Sequence, residues 1–254
     1  MRLAVLSDIH GNLVALEAAL ADLEAAGSAD LIWCLGDLAA FGPRPVECIR
    51  RLREMRESFG KDRFHIIGGN TDRYLVTGER MKQVAADEET FKTLAQSWNE
   101  RDSGLNWTVS RLSFDDYQFL QKRLGSELSH EFEGYGWVVG YHAIPGDDEG
   151  YLLPDTPVHE ALDMLLDRGG RLGIGGHTHR QMDRDLGRWR AVNVGSIGMS
   201  FDNPGFAQWG LFTFDGGSVT IDLRNVPYDT QAVIDDLHAV GYPAPEWMGK
   251  RLRQ

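Results

Sequence analysis

The first third of the chain alternates short apolar runs with segments whose apolar residues recur at helical spacing. Residues 2–6, 31–35 and 64–67 form apolar runs of the length that is typical of buried strands. The segments between them have the pattern of amphipathic helices, the first beginning at Asn12 and the second at Pro45. This β-α-β-α-β order predicts a parallel sheet with right-handed crossovers, and therefore an α/β fold.

Residues from about 73 to 126 carry a helical pattern without strands. One apolar stripe at helical spacing consists of Phe91, Leu94, Ala95 and Trp98. A capping-box signature at Ser113 and Asp116 predicts the start of a further helix. We interpret this segment as a helical, cap-like insertion in a single domain that spans residues 1–254.

The remainder of the chain returns to strands. The pattern predicts strands at about 129–132 and 137–141, followed by a helix from about 156 to 169. Residues 191–223 have the pattern of short strands and turns, and 229–240 that of a final helix.

Composition places the chain among ordinary globular proteins, because 42% of its 254 residues are hydrophobic and 25% are charged. The first residues become acidic too early for a signal peptide, and no apolar stretch is long enough to span a bilayer, so we expect a cytoplasmic protein without membrane contact. Cys34 and Cys48 lack CxxC spacing and are expected to be free, buried thiols. The net charge of −12 repels polyanions, so nonspecific nucleic-acid binding is not expected and a phosphate substrate requires local positive charge.

Polar side chains follow the predicted strands at their carboxyl ends. They are Asp8, His10, Asp37, Asn70, His142, His177 and His179. In an open α/β sheet the carboxyl ends of successive strands converge on one crevice. Each residue alone has a structural explanation, as a turn, a loop cap or a satisfied core histidine. Seven such residues at strand ends in one chain instead predict a shared site.

The residue types in this set suit metal ions. His177 and His179 are spaced i and i+2, so in an extended chain both imidazoles would point to the same side. Asp37 has two oxygens and can bridge cations about 3.5–4 Å apart, the spacing at which two metals activate a water and clamp the oxygens of an in-line displacement. Asn70 follows paired glycines and is a neutral ligand. With Asp8 and Asp37 as the anionic ligands, two divalent cations and a bridging hydroxide leave a charge of about +1, which attracts phosphate.

The chain resembles the calcineurin-like metallophosphoesterase superfamily, particularly its small bacterial phosphodiesterases with a "DIHGN" motif. The matching stretches are "SDIHGN" at 7–12, "GDL" at 36–38, "GGNTD" at 68–72, His142 with Pro145 nearby, "GHTH" at 176–179 and "NVGSIG" at 193–198. They occur in the order of the family. The resemblance implies a four-layer α/β/β/α sandwich with the helical insertion added, and a site at one edge of the sheets.

The same resemblance implies two metal ions. One would be held by Asp8, His10, Asp37 and His179, and the other by Asp37, Asn70, His142 and His177. Ligation rich in imidazole and free of thiolate suits Mn, Fe, Co, Ni or Zn better than Mg or Ca, and we expect Mn.

Two positions depart from the family's pattern. Many relatives have a histidine at the position of Thr71, where it is placed to protonate the leaving group and is oriented by the following carboxylate, here Asp72. Ala143 stands where a glycine usually follows the histidine. Asn12 and Thr71 are predicted to contact the substrate phosphate, with a helix N-cap as the alternative role for Asn12.

The leading interpretation is a dinuclear-metal hydrolase of phosphodiesters or phosphoanhydrides. Nucleotides and dinucleoside polyphosphates are the small phosphate-ester substrates expected. The alternatives are a phosphomonoesterase or protein phosphatase and, from another class, a non-catalytic interaction scaffold of the same fold. The seven intact ligand positions argue against the scaffold. The sequence carries no signal for an oligomeric state.

Overall fold

The computed structural model describes residues 1–165 and 168–253. Its strands are β1 Arg2–Leu6, β2 Leu31–Cys34, β3 Phe64–Ile66, β4 Leu128–Phe132, β5 Gly136–Gly140, β6 Leu172–Gly175, β7 Gln181–Asp185, β8 Arg190–Val194, β9 Phe206–Asp215 and β10 Ser218–Pro227. Its helices are α1 Leu13–Ala25, α2 Pro45–Phe59, α3 Asn70–Thr77, α4 Glu88–Arg111, α5 Phe114–Gln121, α6 Val158–Leu165, α7 Thr230–Ala239 and α8 Pro245–Arg253.

The strands form two sheets of five strands each. The first has the order β10-β9-β1-β2-β3, in which β1, β2 and β3 are parallel and β9 and β10 are antiparallel additions. The parallel sheet predicted from the β-α-β-α-β order is therefore confirmed. The second sheet has the order β4-β5-β6-β8-β7, with a parallel centre and an antiparallel strand at each edge.

Three apolar clusters hold the layers together. The cluster between the two sheets includes Leu3 and Trp33 of the first sheet and Ile174 of the second. A second cluster packs α1, α2, α7 and α8 against the outer face of the first sheet. A third, with Trp189 and Leu165, packs α6 against the outer face of the second sheet. The predicted four-layer α/β/β/α sandwich is confirmed.

The segment predicted as a helical insertion consists of α3, α4 and α5. The predicted stripe of α4 does not form a buried face, since Phe91 is 54% exposed. The buried residues of α4 lie in its second half, at Gly104, Leu105 and Thr108. The first half of this helix therefore projects from the core.

The C-terminal part differs most from the sequence prediction. The short strands expected at 191–223 are instead β8 followed by a long hairpin, because β9 and β10 each run for ten residues. Neither β7 nor α8 was predicted. The helix predicted from about 156 begins at Val158, and its predicted end passes through residues 166 and 167, which lie outside the described residues. Cys34 and Cys48 are free and buried, as expected.

Candidate metal centre

The carboxyl ends of five strands bring all seven predicted residues to one edge of the two sheets. The first sheet supplies Asp8 and His10 after β1, Asp37 after β2, and Asn70, which follows β3 as the first residue of α3. The second sheet supplies His142 after β5, and His177 and His179 after β6. The site is therefore built between the sheets rather than within one of them.

One group of side chains contains Asp8, His10, Asp37 and His179. All four are buried, and one potential ligand atom from each lies within 4.8 Å of the others. The Nε2 atoms of His10 and His179 are 3.0 Å apart. Oδ1 of Asp8 lies 3.3 Å from Nε2 of His179, and Oδ2 of Asp37 lies 3.6 Å from Nε2 of His10.

A second group shares Asp37 with the first. Oδ1 of Asn70 lies 3.0 Å from Nε2 of His142 and 3.1 Å from Nδ1 of His177. Oδ1 of Asp37 lies 3.6 Å from Nε2 of His142, whereas its Oδ2 faces His10. Asp37 thus directs one carboxylate oxygen to each group, which is the arrangement that a bridging ligand requires.

The tautomers of three histidines follow from their backbone partners. Nδ1 faces a carbonyl oxygen at 3.2 Å in His10, 2.7 Å in His142 and 2.6 Å in His179; the carbonyls belong to Ala40, Leu35 and Met199. A carbonyl oxygen only accepts hydrogen bonds, so each Nδ1 carries a hydrogen, and the neutral form of each ring directs an Nε2 lone pair into the site.

Several lone pairs therefore face each other without hydrogen between them. Nε2 of His10 faces Nε2 of His179, and Nε2 of His142 faces Oδ1 of Asn70. Oδ1 of Asp8 is buried and has no hydrogen-bond partner. Buried acceptors in such contact require a proton or a cation, and imidazole with carboxylate and amide oxygens suits divalent transition metals.

Burial sets the charge of these histidines. It lowers the pKa of His10 and of His177 to about 4, so both rings are neutral near pH 7. Burial also acts to lower the pKa of His142, but the Asp37 and Asp8 carboxylates outweigh it and raise that pKa. For Asp8, burial opposes ionisation, but the surrounding histidines hold its pKa well below the usual range. His10 and His177 therefore present neutral imidazoles, and Asp8 a carboxylate, at neutral pH.

The backbone around the site is left-handed at most of these positions. Five of the seven non-glycine residues with positive φ in the described chain are candidate ligands: Asp8, His10, Asp37, His177 and His179, with φ between 51° and 65°. Each such conformation costs about 1–3 kcal/mol and persists only where surrounding contacts enforce it. His177 and His179 are thus not in extended chain, and the predicted reason for their proximity is wrong. They point into different groups.

The "GGNTD" stretch at 68–72 begins a helix, because Asn70 is the first residue of α3. Gly69 is the N-cap of α3, and a side chain there would collide with Asp37 and His142. Asp72 accepts the backbone N–H groups of Asp37, Leu38 and Gly69 at 2.8, 3.0 and 3.0 Å. Asp72 therefore fixes the loop after β2 against the start of α3.

Asn12 and Thr71 differ in their free hydrogen-bonding capacity. Oδ1 of Asn12 accepts the N–H of Ala15 and its Nδ2 donates to the carbonyl of Gly198, so this buried side chain has the N-cap role that was the alternative. Its contact with substrate stays a prediction. Thr71 is 5% exposed and its Oγ1 has no hydrogen-bond partner. Its backbone N–H donates to Oδ1 of Asp37 at 2.9 Å.

The "NVGSIG" stretch supports the ligand loops from behind. Oγ of Ser196 donates to the carbonyl of Asp8 at 2.8 Å, and Nδ2 of Asn193 donates to the carbonyl of Gly176 at 2.5 Å. Oγ of Ser7 donates to Oδ2 of Asp8 at 2.6 Å. The sequence did not assign these roles because side-chain bonds to a distant backbone leave no local pattern.

A cavity of about 500 Å³ opens over the two groups. At its rim, aromatic side chains contact two of the histidines. The ring of Phe201 stacks on that of His179 with 4.7 Å between centroids, and the ring of Tyr151 lies 5.0 Å from that of His177. The far wall combines residues of α4 and α8 with the segment between α3 and α4: Met81, Gln83, Ser97, Arg101, Trp247 and Arg251. His65 is not among the lining residues, and its Nε2 lies 3.1 Å from the carbonyl of Asp62.

Residues 1–216 match the model of the calcineurin-like phosphoesterase superfamily domain. The chain therefore belongs to this family and is a phosphoesterase hydrolase. The family and the buried aspartate–histidine cluster fit a dinuclear site for divalent metal ions. Among the described residues no helix has the length and apolar character needed to cross a membrane.

The chain is similar to several individual proteins. The uncharacterized protein MJ0912 of Methanocaldococcus jannaschii is 27% identical, over 98% of this chain and 96% of its own length. The symmetrical bis(5'-nucleosyl)-tetraphosphatase of Pseudomonas syringae is 28% identical over 107 residues, which are 42% of this chain and 35% of that enzyme. A metallophosphoesterase from Sphaerobacter thermophilus is 25% identical with a TM-score of 0.71, covering 100% of this chain and 98% of its own. PH1004 from Pyrococcus horikoshii, at 22% identity, shares the fold with a TM-score of 0.79 over 99% of this chain and 97% of its own.

Proposed function

We propose that this protein hydrolyses phosphodiesters or phosphoanhydrides, with nucleotides of the dinucleoside polyphosphate type as substrates. The observation that carries the proposal is that two groups of buried side chains share Asp37 and direct unshared electron pairs toward one another. A site built this way serves metal-dependent attack on phosphorus and has no evident structural purpose. The reaction belongs in the cytoplasm, where such substrates occur.

The residues would hold two ions in the two groups described. Asp8, His10, Asp37 and His179 would hold one, and Asp37, Asn70, His142 and His177 the other. We propose Mn²⁺ as the native ion, with Fe, Co, Ni and Zn as alternatives, because the donors are imidazole and oxygen without thiolate. When bound, such a pair activates a water and neutralises the oxygens of the reacting phosphate.

Other groups of the chain position the site. Asp72 and the N–H of Thr71 orient the loop and the carboxylate of Asp37, so its two oxygens stay directed at different groups. Thr71 is one of the residues that line the cavity, and its buried hydroxyl, which has no hydrogen-bond partner, would donate to a phosphate oxygen.

The absence of a histidine at position 71 restricts the leaving group. A threonine hydroxyl is far too weak an acid to protonate a departing alkoxide at neutral pH. His65 of β3, a histidine near this position, does not line the cavity. We therefore propose that the enzyme favours leaving groups that depart as stable anions, such as phenolates and the phosphates of an anhydride.

The size of the cavity supports a substrate larger than a simple monoester. The apolar and aromatic wall reaches well beyond the histidines, and the tetraphosphatases among the relatives carry names of the same substrate class. A phosphomonoesterase or protein phosphatase is the competing function.

The test compares substrates on one Mn²⁺-loaded preparation. We expect kcat/KM for diadenosine tetraphosphate and bis(p-nitrophenyl) phosphate to exceed the value for p-nitrophenyl phosphate by at least about tenfold. A preference for p-nitrophenyl phosphate or a phosphopeptide would favour the competing function. An Asn70→Ala variant serves as the control for contaminating phosphatases, since it removes one proposed ligand.

A further inference from the structure

The far wall of the cavity contains a part of the chain that the family model does not cover. Helix α8 begins at Pro245, whereas the match to the family ends at residue 216. Trp247 and Arg251 of this helix nevertheless line the same cavity as His10 and Asp37. The C-terminal helix therefore adds side chains to the site that the family's shared motifs do not supply.

A continuous series of ring contacts links α8 to the candidate ligands. The rings of His10 and Phe41 lie 5.6 Å apart, and those of Phe41 and Trp247 lie 5.7 Å apart, between centroids. The guanidinium of Arg251 lies over the indole of Trp247 at 3.7 Å from its centroid. Arg251 is thus held flat, three contacts away from the place where a phosphate would react.

The wall is positively charged although the whole chain is strongly acidic. Three arginines line the cavity, Arg101, Arg180 and Arg251, and Asp37 is the one acidic residue among its described lining residues. Arg101 is paired with Asp102 at 2.8 Å. Within the described chain, no carboxylate lies within 4.0 Å of the guanidinium of Arg180 or of Arg251. Burial lowers the pKa of Arg251, and the Glu100 carboxylate offsets only part of that effect.

A flat, supported guanidinium next to aromatic rings suits a specific class of ligand. Arginine planes stack on nucleobases, and the N–H groups of the same side chain bind phosphate oxygens. A phosphate ester without an aromatic group would pair with the arginine charge but would make no contact with the ring of Trp247. A purely apolar ester group would leave the charges of Arg180 and Arg251 without an anion.

We propose that Trp247 and Arg251 bind the part of the substrate beyond the reacting phosphate, and that this part is a nucleotide, with a base stacked at the Trp247–Arg251 pair and a further phosphate near Arg251 and Arg180. Trp247 acts as the positioning residue for Arg251. This inference rests on the proposed phosphoesterase function and names the substrate group that it selects.

The test separates nucleotide recognition from hydrolysis. Wild type, Arg251→Ala, Arg251→Lys and Trp247→Leu are loaded with Mn²⁺ and assayed on diadenosine tetraphosphate, on inorganic tripolyphosphate and on methyl p-nitrophenyl phosphate. The matched control is Arg253→Ala, because Arg253 lies on the same helix, is exposed and bonds to Gln231 at 2.5 Å. Binding of AMP to each protein is measured separately by titration calorimetry.

We expect Arg251→Ala to lower kcat/KM for diadenosine tetraphosphate, relative to that for methyl p-nitrophenyl phosphate, by at least about tenfold, mainly through KM. AMP binding should weaken by a similar factor. Compared with Arg251→Ala, the Arg251→Lys variant should regain much of the activity on tripolyphosphate but not the preference for the dinucleotide. Lysine restores the positive charge but not the planar guanidinium group.

The inference would be overturned if the Arg251→Ala and Trp247→Leu variants lost kcat/KM equally on all three substrates and bound AMP as tightly as the wild type. The Trp247–Arg251 stack would then have a structural role alone. Hydrolysis of methyl p-nitrophenyl phosphate by the wild type keeps the proposed function intact in that case. If the wild type hydrolyses none of the three substrates, the proposed function fails, and the AMP titration still decides whether α8 binds a nucleotide.

Discussion

The backbone N–H of Thr71 donates a hydrogen bond of 2.9 Å to Oδ1 of Asp37, while the hydroxyl of the same threonine has no partner. One residue thus orients the carboxylate shared by both halves of the site and carries a buried hydroxyl without a hydrogen-bond partner beside the cavity. Thr71 is the second residue of α3, so its N–H also belongs to the positive end of a helix, which stabilises the carboxylate that it contacts. The side chain at this position can therefore change substrate chemistry without removing the support of Asp37.

Replacing Thr71 by histidine should change the dependence on the leaving group. We expect wild type to show a steep decline of kcat/KM as the leaving-group pKa rises across a series of aryl phosphodiesters. Thr71→His should have the shallower slope and gain most on poor leaving groups, because a positioned general acid is worth about 10²–10⁴-fold. Thr77→His, near the end of the same helix, is the control. Equal shallow slopes in wild type and variant would mean that another group already supplies the proton.

The shared position of Asp37 predicts an unequal cost among ligand substitutions. Asp37→Asn should lower kcat/KM more than His10→Ala, by roughly a further tenfold, because it weakens the hold on both ions and removes half of the anionic charge. Metal content measured on the same samples should fall toward none per chain in Asp37→Asn and toward one in His10→Ala. Wild-type metal content and turnover in Asp37→Asn would exclude a bridging role.

Asn12 provides a test that separates helix capping from substrate binding. Asn12→Ala removes the acceptor for Ala15 and the donor for Gly198, so we expect the free energy of unfolding to fall by about 1–3 kcal/mol. KM should stay near the wild-type value. Asp229→Ala removes the N-cap of α7 and is the stability control. A KM that rises in Asn12→Ala for a diester would restore the predicted substrate contact.

The buried histidines predict how the metal-free protein responds to acid. The pKa of His10 and of His177 falls from 6.5 in the unfolded chain to about 4 in the folded state. Between these values the unfolded chain binds more protons, so stability decreases as the pH falls from about 6.5 to 4 and is unaffected by these groups above 6.5. The raised pKa of His142 acts in the opposite direction and offsets part of the effect.

The measurement is the melting temperature of chelator-treated protein between pH 7.5 and 4.5. His10→Gln should flatten the acid limb of the curve relative to wild type. His159→Gln is the control, because its side chain is 79% exposed. An identical acid limb in His10→Gln would mean that this ring is not neutral in the folded protein.

The sequence predicts the central architecture because strand and helix patterns recur without interruption in the first third of the chain. It predicts the seven site residues because each follows a strand, and strand ends converge. It gives a wrong reason for His177 and His179, since the left-handed turns that direct them into separate groups depend on contacts with distant loops. Backbone conformation of this kind has no local signature outside glycine.

The length of β10 and the presence of α8 were not predicted, because neither element has a clear apolar pattern. In β10, intermediate and exposed residues alternate, so no apolar run marks its ten-residue length. Helix α8 buries only Met248, Gly249 and Leu252, too few to show a helical stripe. The sequence therefore gives no indication that Trp247 and Arg251 line the cavity, because their position depends on the packing of α8.

We propose that hydrolysis requires two metal ions, both held through Asp37. The most direct measurement is the metal bound per chain after chelation and dialysis against Mn²⁺, determined together with turnover of bis(p-nitrophenyl) phosphate. We expect no turnover in the chelated protein, and recovery of activity as the Mn²⁺ content rises to two per chain. Full turnover in a demonstrably metal-free sample, or an inactive protein that binds no Mn²⁺, would contradict the claim.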